Sequence, residues 1–447
     1  MPKKKAYLVH ATDKSLIISE QPPFPFPVLG IITVAALFPE EEWEVRVVDE
    51  DKESVDLNVK ADLVGISTLT LNAPHAYELA NHFRSRWIPV VMGGLHVTYE
   101  PEEALKYCDA VVLGETEGAM PRLLADFTKG AMKRTYFSPN PLPNFGIPYA
   151  RRDLLRRYHH RYLIAVQATR GCPHQCEFCS VPLFFGNQYR YRPVEDVVVE
   201  IKEALGSYHK LYVFFVDDNI GGNPKYAKEL FQALIPLKIR WASFASLKMA
   251  EDPELLDLAE KSGCVELFIG FESLEQANLN MAGKFWLKTE KFADNVRDLH
   301  QAGIIVQGAF IFGHDGDTKD IFRRTVEFVQ KTGIEVPIFG ILTPYPGTIL
   351  RRRLVLEKRI LSGDDWRHYD GSHVLFRPAL MTPEELQEGY FWAKKYCCAP
   401  RSIISRLFRA PLKNFPLALA LNFSMWRSKM RQIHARWKGS LRAPAKW

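Results

Sequence analysis

Twice along this chain a train of short apolar runs alternates with amphipathic helical stretches, and that repetition points to two parallel α/β units in tandem. In the first train, Ala6–Val9, Trp43–Val48, Leu63–Ser67, Pro89–Met92 and Ala110–Leu113 read as strands, with helices at Leu29–Leu37 and Pro74–Arg86. These runs are apolar on both faces, so helices should cover both sides of their sheet. A Pro-rich turn at Pro22–Pro27 leads into the first helix. The second train opens with Leu163–Ala168 and continues through Leu211–Asp217, Ile239–Ala245, Val265–Gly270, Ile304–Phe312 and Val336–Leu342. Helices are expected between them at Val194–Leu205, Pro224–Ile235, Pro253–Lys261, Thr289–Gln301 and Lys319–Lys331. Six β/α units of this length fit a partial TIM-type (β/α)6 barrel better than an open sheet. Between the trains, Pro139–Tyr149 holds four prolines and reads as a stiff connector. The expected boundaries are therefore a first domain at 1–138, a linker at 139–160, a barrel at 161–350 and a helical, basic region at 351–447.

The 447 residues are 47% hydrophobic and 25% charged, which excludes a disordered or collagen-like chain. No run reaches the ~18 apolar residues of a membrane-spanning helix, and the apolar run after Lys3–Lys5 is too short for a signal peptide. A cytoplasmic location is expected. Seven cysteines are too few for a secreted disulfide scaffold, and Cys108, Cys264, Cys397 and Cys398 read as buried thiols. The net charge of +6 is unevenly placed, because residues 401–447 carry eleven Lys and Arg and no Asp or Glu. There Arg406, Arg409, Lys413, Arg427, Lys429 and Arg431 interleave with Phe408, Phe415, Phe423 and Trp426. Two readings are open, an element lying on an anionic membrane surface and a helical cap over the barrel mouth. The one taken is the cap, with its aromatic residues buried and weak membrane-surface contact at most. No recognition motif for nucleic acid accompanies these charges.

Cys172, Cys176 and Cys179 form a C-x3-C-x2-C run just after the first strand of the second train, at the end where a barrel binds its ligands. Three thiolates on a short loop can hold three irons of a cubane and leave the fourth open. The competing reading is a zinc site, with His174 as the fourth ligand. Such a tight loop would strain its tetrahedral geometry.

The run from Thr169 to Cys179, with Phe178 before the last cysteine, resembles the signature of radical S-adenosylmethionine enzymes, and the resemblance extends from about Leu163 to Leu342. It implies that Cys172, Cys176 and Cys179 hold a 4Fe-4S cluster that reductively cleaves S-adenosylmethionine to a 5′-deoxyadenosyl radical. Phe178 would lie against the cluster or the adenine. Where that family usually has Gly-Gly-Glu, this chain has Asp217-Asp218-Asn219, whose carboxylates could accept from the methionyl ammonium. Glu272 and Ser273 resemble the segment that reaches the ribose and carboxylate, and Arg240 and Ser243 could also meet the carboxylate. Gly308–Gly313 resembles the strand near adenine. Asp315, Asp317, His314 and Tyr345 are candidates for the cavity, with no acid or base role assigned.

The first train resembles the Rossmann-like, flavodoxin-like cobalamin-binding domain that precedes the barrel in one large radical class. Gly93 and Gly94 would let backbone approach a bulky ligand. Ser67, Thr68 and Thr70 would offer hydroxyls to its nucleotide tail, and Gly114, Glu115 and His96 also fall at strand ends that face ligands. The histidine motif that ligates cobalt is absent, since Asp49-Glu50-Asp51-Lys52-Glu53 stands in its place. His96 is read as a tail or loop contact.

The function these resemblances imply is methylation of an unactivated carbon on a small-molecule or lipid-like substrate, with a reductant such as flavodoxin or ferredoxin. The alternatives are a radical cyclase or rearrangement enzyme, a tRNA methylthiotransferase lacking its second set of cysteines, and a non-enzymatic iron–sulfur or corrinoid-binding protein.

Overall fold

The first six strands are β1 (Lys4–His10), β2 (Trp43–Asp49), β3 (Leu63–Ser67), β4 (Val90–Gly93), β5 (Ala110–Leu113) and β6 (Thr135–Phe137). They form one parallel sheet in the order β2-β1-β3-β4-β5-β6. The computed structural model describes residues 2–16, 28–138, 146–155, 163–207, 212–361 and 365–437. The turn at 22–27, the connector at 139–145 and the end of the linker at 156–160 lie outside the described residues. Both faces of the sheet are covered, as two-sided apolar strands require. Ile31 and Ile32 of helix Leu29–Ala35 and Leu123 of helix Met120–Thr128 pack on one face; Ala76, Ala80 and Phe83 of helix Ala73–Ser85 pack on the other. The order reverses at β1, and in such sheets ligands bind beyond the carboxyl ends of the strands. Of the strands in this sheet, β6 alone is absent from the sequence reading. It is three residues long and buries Tyr136 alone, too little for a pattern.

The second unit contains β7 (Leu163–Val166), β8 (Thr169–Arg170), β9 (Arg190–Tyr191), β10 (Tyr212–Phe215), β11 (Arg240–Ala245), β12 (Cys264–Glu272), β13 (Ile305–Phe312) and β14 (Val336–Ile341). Six of them form a parallel sheet in strict chain order from β7 through β10 to β14, the succession of a partial barrel. The helices between them start where the sequence places polar caps before proline. The Asn223 and Asp252 side chains accept the N–H groups of Tyr226 and Leu255, each with Pro at the first helical position. The short strands β8 and β9 pair antiparallel and hold the cysteine loop between them.

The described residues beyond 350 do not form a separate layer. Trp366, Tyr369 and Leu375 enter the core of the first domain, while Phe376, Leu386 and Tyr390 enter the barrel core. The expected cap exists, but it lies at the other end of the barrel. Leu407, Ala410, Ala418 and Leu421 pack on Ile305 and Val336, the first residues of β13 and β14, and Asn414 donates to the Gly303 carbonyl at 2.7 Å. The helices Pro400–Leu407 and Phe415–Trp437 thus close the bottom of the barrel, away from the cysteine loop. Arg406 is not part of a basic surface. Fully buried, it donates to the Cys397 carbonyl (3.0 Å), Ser402 Oγ (2.6 Å) and Asn422 Oδ1 (3.1 Å), bracing the helices together. No described helix is long and apolar enough to cross a membrane.

Candidate active site

Glycine at 171 starts the cysteine loop because its φ is +85° and a Cβ there would collide with the Gln188 carbonyl. Beyond it the loop is gripped from two sides. The Glu177 N–H donates to the Ala282 carbonyl at 3.1 Å, and the Glu177 carbonyl accepts from the Leu350 N–H at 2.8 Å. The Glu177 carboxylate also pairs with Arg353 at 3.1 Å. His174 stacks on Trp286, ring centroids 4.0 Å apart. Burial pushes the Cys176 thiol up to about 11 and that of Cys179 up to about 12, and each charged thiol would oppose its neighbours. A metal must therefore displace their protons.

Among the described residues, no three His, Cys, Asp or Glu side chains converge as ligands of one ion would. With His174 stacked on Trp286, this donor set fits a cubane, in which each thiolate takes its own iron. It does not fit a zinc tetrahedron.

Lys284 is the site residue that sequence reasoning missed. Its ammonium pairs with the Glu272 carboxylate and lies 5.9 Å from the centre of the Phe178 ring. Burial works against its charge, but Glu272 and the thiols of Cys176 and Cys179 outweigh this and hold it above the usual lysine range. Glu272 itself sits at φ +62°, at the register shift between β12 and β13. This strained bulge folds its carboxylate back over Gly270, where a Cβ would strike it.

The other barrel residues divide by what already occupies them. Asp217 is fully buried and accepts the N–H groups of Ala168 (3.1 Å) and Thr169, so it shapes the entry to the loop. Asp218 keeps one carboxylate oxygen without a partner among the described residues, and burial raises it to about 6. Ser273 accepts from the Glu275 N–H and Asn278 Nδ2 at 3.1 and 3.2 Å. Two expectations need correction. Arg240 is the first residue of β11, at the closed end of the barrel, and donates to Asn414 at 2.9 Å. Ser243 is buried and donates to the Phe215 carbonyl at 2.9 Å, tying β11 to β10. Of the cavity candidates, Asp317 accepts the N–H groups of Gly313 and His314 at 2.9 and 3.0 Å, while Asp315 pairs with Arg353 and Arg359, each at 2.6 Å. His314 is buried beside Phe178, and burial lowers it to about 4. It is neutral at physiological pH.

In the first domain, Ser67, Gly93 and Gly94 line an apolar cleft of about 500 Å3, its open mouth included, whose far wall is Ile31, Val34 and Met120. Gly94 has φ +102°, and a Cβ there would stand 2.6 Å from the Thr68 carbonyl oxygen. Thr68 is buried and its hydroxyl donates to the Leu69 carbonyl at 3.0 Å. The buried Thr70 hydroxyl lacks a partner among the described residues. Walled by aliphatic side chains and by glycine backbone at strand ends, the cleft has the lining chemistry to take the apolar base of a corrinoid's nucleotide tail. The acidic loop after β2 is tied internally, since Glu50 accepts from the Thr12 N–H at 3.0 Å and pairs with His75 at 2.9 Å.

Two further expectations change here. His96 has no exposed surface and bonds Tyr77 at 3.0 Å, with Glu103 at 3.6 Å and Trp366 against its ring. It belongs to the domain's interior rather than to the cleft. Gly114 donates its N–H to Thr98 Oγ1 at 3.0 Å. Glu115 instead joins the two domains. Its carboxylate takes Arg170 at 2.8 Å and also Arg190, the residues that flank the cysteine loop on β8 and β9.

The cleft of the first domain is thus joined through Glu115 to the three-cysteine loop at the barrel mouth. Residues 166–329 match the radical SAM superfamily, and residues 16–124 match the B12 binding domain. The bacteriochlorophyllide d C-12(1)-methyltransferase of Chlorobaculum tepidum is 32% identical, over 92% of this chain and 91% of its own. The bacteriochlorophyllide d C-8(2)-methyltransferase of the same organism is 31% identical over 91% and 92%. The hopanoid C-2 methylase of Rhodopseudomonas palustris is 27% identical over 76% and 66%. Among solved structures, the radical methyltransferase TsrM of Kitasatospora setae with cobalamin and a 4Fe-4S cluster bound has the same fold. Its TM-score is 0.72 at 15% identity, covering 98% of this chain and 100% of that one. The chain belongs to the cobalamin-dependent radical S-adenosylmethionine methyltransferases. Its cofactors are a 4Fe-4S cluster, S-adenosylmethionine and cobalamin, and the methylthiotransferase and non-enzymatic alternatives fall away.

Proposed function

We propose that this methyltransferase adds methyl to an unactivated carbon of a large, mostly apolar polycyclic small molecule. The relatives' own substrates support that class, since bacteriochlorophyllides and hopanoids are both extended ring systems. The observation that carries the reading is the direct join between the two halves of the site. Glu115 of the corrinoid domain clamps Arg170 and Arg190 on either side of the cysteine loop, and such fixed geometry is what radical capture by a second cofactor requires.

When bound, the cluster and S-adenosylmethionine supply a hydrogen-abstracting radical and the cobalamin supplies the methyl group. The chain's own residues do the rest. Cys172, Cys176 and Cys179 hold the cluster. The unpartnered oxygen of Asp218 accepts from the methionyl ammonium. Lys284, steadied by Glu272, offers its ammonium to the methionyl carboxylate. Ser67 and the Gly93-Gly94 turn receive the nucleotide tail of cobalamin. The domain limits are those expected from the sequence, 1–138 and 161–350, with Trp366, Tyr369 and Leu375 packed into the first domain's core. A low-potential one-electron donor such as flavodoxin or ferredoxin serves as reductant in the cytoplasm.

The test is anaerobic turnover with S-adenosylmethionine carrying a trideuterated methyl group and a panel containing a bacteriochlorophyllide and a hopanoid precursor. Product bearing the labelled methyl, formed in step with 5′-deoxyadenosine and S-adenosylhomocysteine, is the expected result. Formation of 5′-deoxyadenosine with no methylated polycycle across the panel would overturn the substrate class.

A further inference from the structure

The helices that close the barrel bottom are apolar on two sides, and the barrel accounts for only one. On the inner side Leu407, Ala418 and Leu421 are buried against β13 and β14. On the outer side Phe408 is 85% exposed and Leu412 is 90% exposed. Leu419, Phe423 and Trp426 are also exposed. Positions 415, 419, 423 and 426 recur at helical spacing and share one stripe, along which the rings of Phe423 and Trp426 lie 5.8 Å apart. Single exposed apolar residues need no explanation, but a contiguous patch marks an interaction surface.

Charge identifies the partner. Arg401, Arg409 and Arg427 are exposed in this region, Lys413 there is paired with Glu260 at 2.9 Å, and no acidic residue occurs anywhere in 401–447. The rest of the chain has 47 basic against 52 acidic residues, so the positive surplus is confined to this end. Aromatic and aliphatic tips ringed by cations, on helices too polar to span a bilayer, match an anionic lipid surface. Such a surface receives the tips at its headgroup boundary and attracts the basic rim.

We propose that the outer face of the Pro400–Leu407 and Phe415–Trp437 helices docks the enzyme onto anionic membrane, with the barrel bottom toward the lipid. This contact is independent of the methyl-transfer reading. It replaces the expectation of a cap with buried aromatics.

Flotation of the full-length holoenzyme decides the matter, with phosphatidylcholine vesicles made with and without phosphatidylglycerol. Roughly tenfold more protein should float with the anionic vesicles, because several basic residues act together at such a surface, and high salt should release it. A Phe408→Glu/Leu412→Glu variant should lose flotation while keeping its melting temperature, iron content and S-adenosylmethionine cleavage, since both side chains already face solvent. Equal flotation with neutral vesicles, or none with anionic ones, overturns the proposal. So does self-association in sedimentation velocity that the same variant abolishes without any lipid binding, because the patch would then be a contact between two copies of the chain.

Discussion

Tyr99 of the corrinoid domain donates its phenolic O–H to the backbone carbonyl of Ser180, one residue past the last cluster cysteine, at 3.0 Å. The same ring fills the space over Gly347, where a Cβ would come within 2.5 Å of it. One side chain therefore touches both the cysteine loop and the loop after β14. Tyr99→Phe removes the hydrogen bond but keeps the packing, a loss of about 1 kcal/mol. Iron and corrinoid content should be unchanged, while the ratio of 5′-deoxyadenosine to methylated product rises because the two halves of the site are held less firmly. Quantifying both products in one assay checks this.

Lys284 is the cation beside the three thiols, so it should stabilise the reduced, more negative cluster. Lys284→Met should shift the midpoint potential to more negative values, where about 59 mV corresponds to a tenfold change in a one-electron equilibrium. S-adenosylmethionine should also bind more weakly. Lys284→Arg should retain most of both properties. A redox titration followed by electron paramagnetic resonance separates charge loss from misfolding, because the iron content of Lys284→Met should remain normal.

Gly94 cannot be replaced without moving backbone. At φ +102° with the Thr68 carbonyl 2.6 Å from a would-be Cβ, Gly94→Ala should cost about 1–3 kcal/mol. It should also abolish corrinoid retention while sparing the cluster. Denaturant unfolding and the visible spectrum of reconstituted protein report the two effects.

Glu266 gives the protein a pH dependence that has nothing to do with turnover. It is buried between the Tyr212 hydroxyl, at 2.9 Å, and the Gln307 amide. Burial raises it from 4.5 to about 7. The folded chain then holds a proton that the unfolded chain releases above 4.5, so this group's contribution to stability falls as pH rises from about 4.5 to about 7. The steepest slope is roughly 1.4 kcal/mol per pH unit. Glu266→Gln should flatten that part of the stability profile measured by denaturant titration.

Local signals carried the sequence reading furthest. The longer strands and the cysteine run depend on neighbours within a few positions and emerge where they are expected, whereas β6, β8 and β9, at two or three residues each, carry no pattern. Lys284 lacked any such signal, because it reaches the thiols only through the turn after Met281 that lays Ala282 and Gly283 on the cysteine loop. Arg240 was misread because a strand's two ends look alike in sequence while only one faces the mouth. Glu115 stands at the strand end where ligands are expected, yet two arginines far along the chain claim its carboxylate. The aromatic tail was read as wholly buried because composition alone does not separate the inner from the outer side of a helix that is apolar on both.

Trp366 has a consequence for how the protein is made. It is buried against His96 and donates to the Glu103 carboxylate at 2.9 Å, yet it is encoded more than two hundred residues after the first domain ends. At about 5–20 residues per second, a ribosome that has finished the corrinoid domain needs on the order of 10–50 s more to deliver the side chain that completes it. During that interval the nascent domain exposes the groove that Trp366, Tyr369 and Leu375 later fill. Full closure of the first domain is thus timed by synthesis of the barrel, and the corrinoid domain expressed alone would keep an open seam.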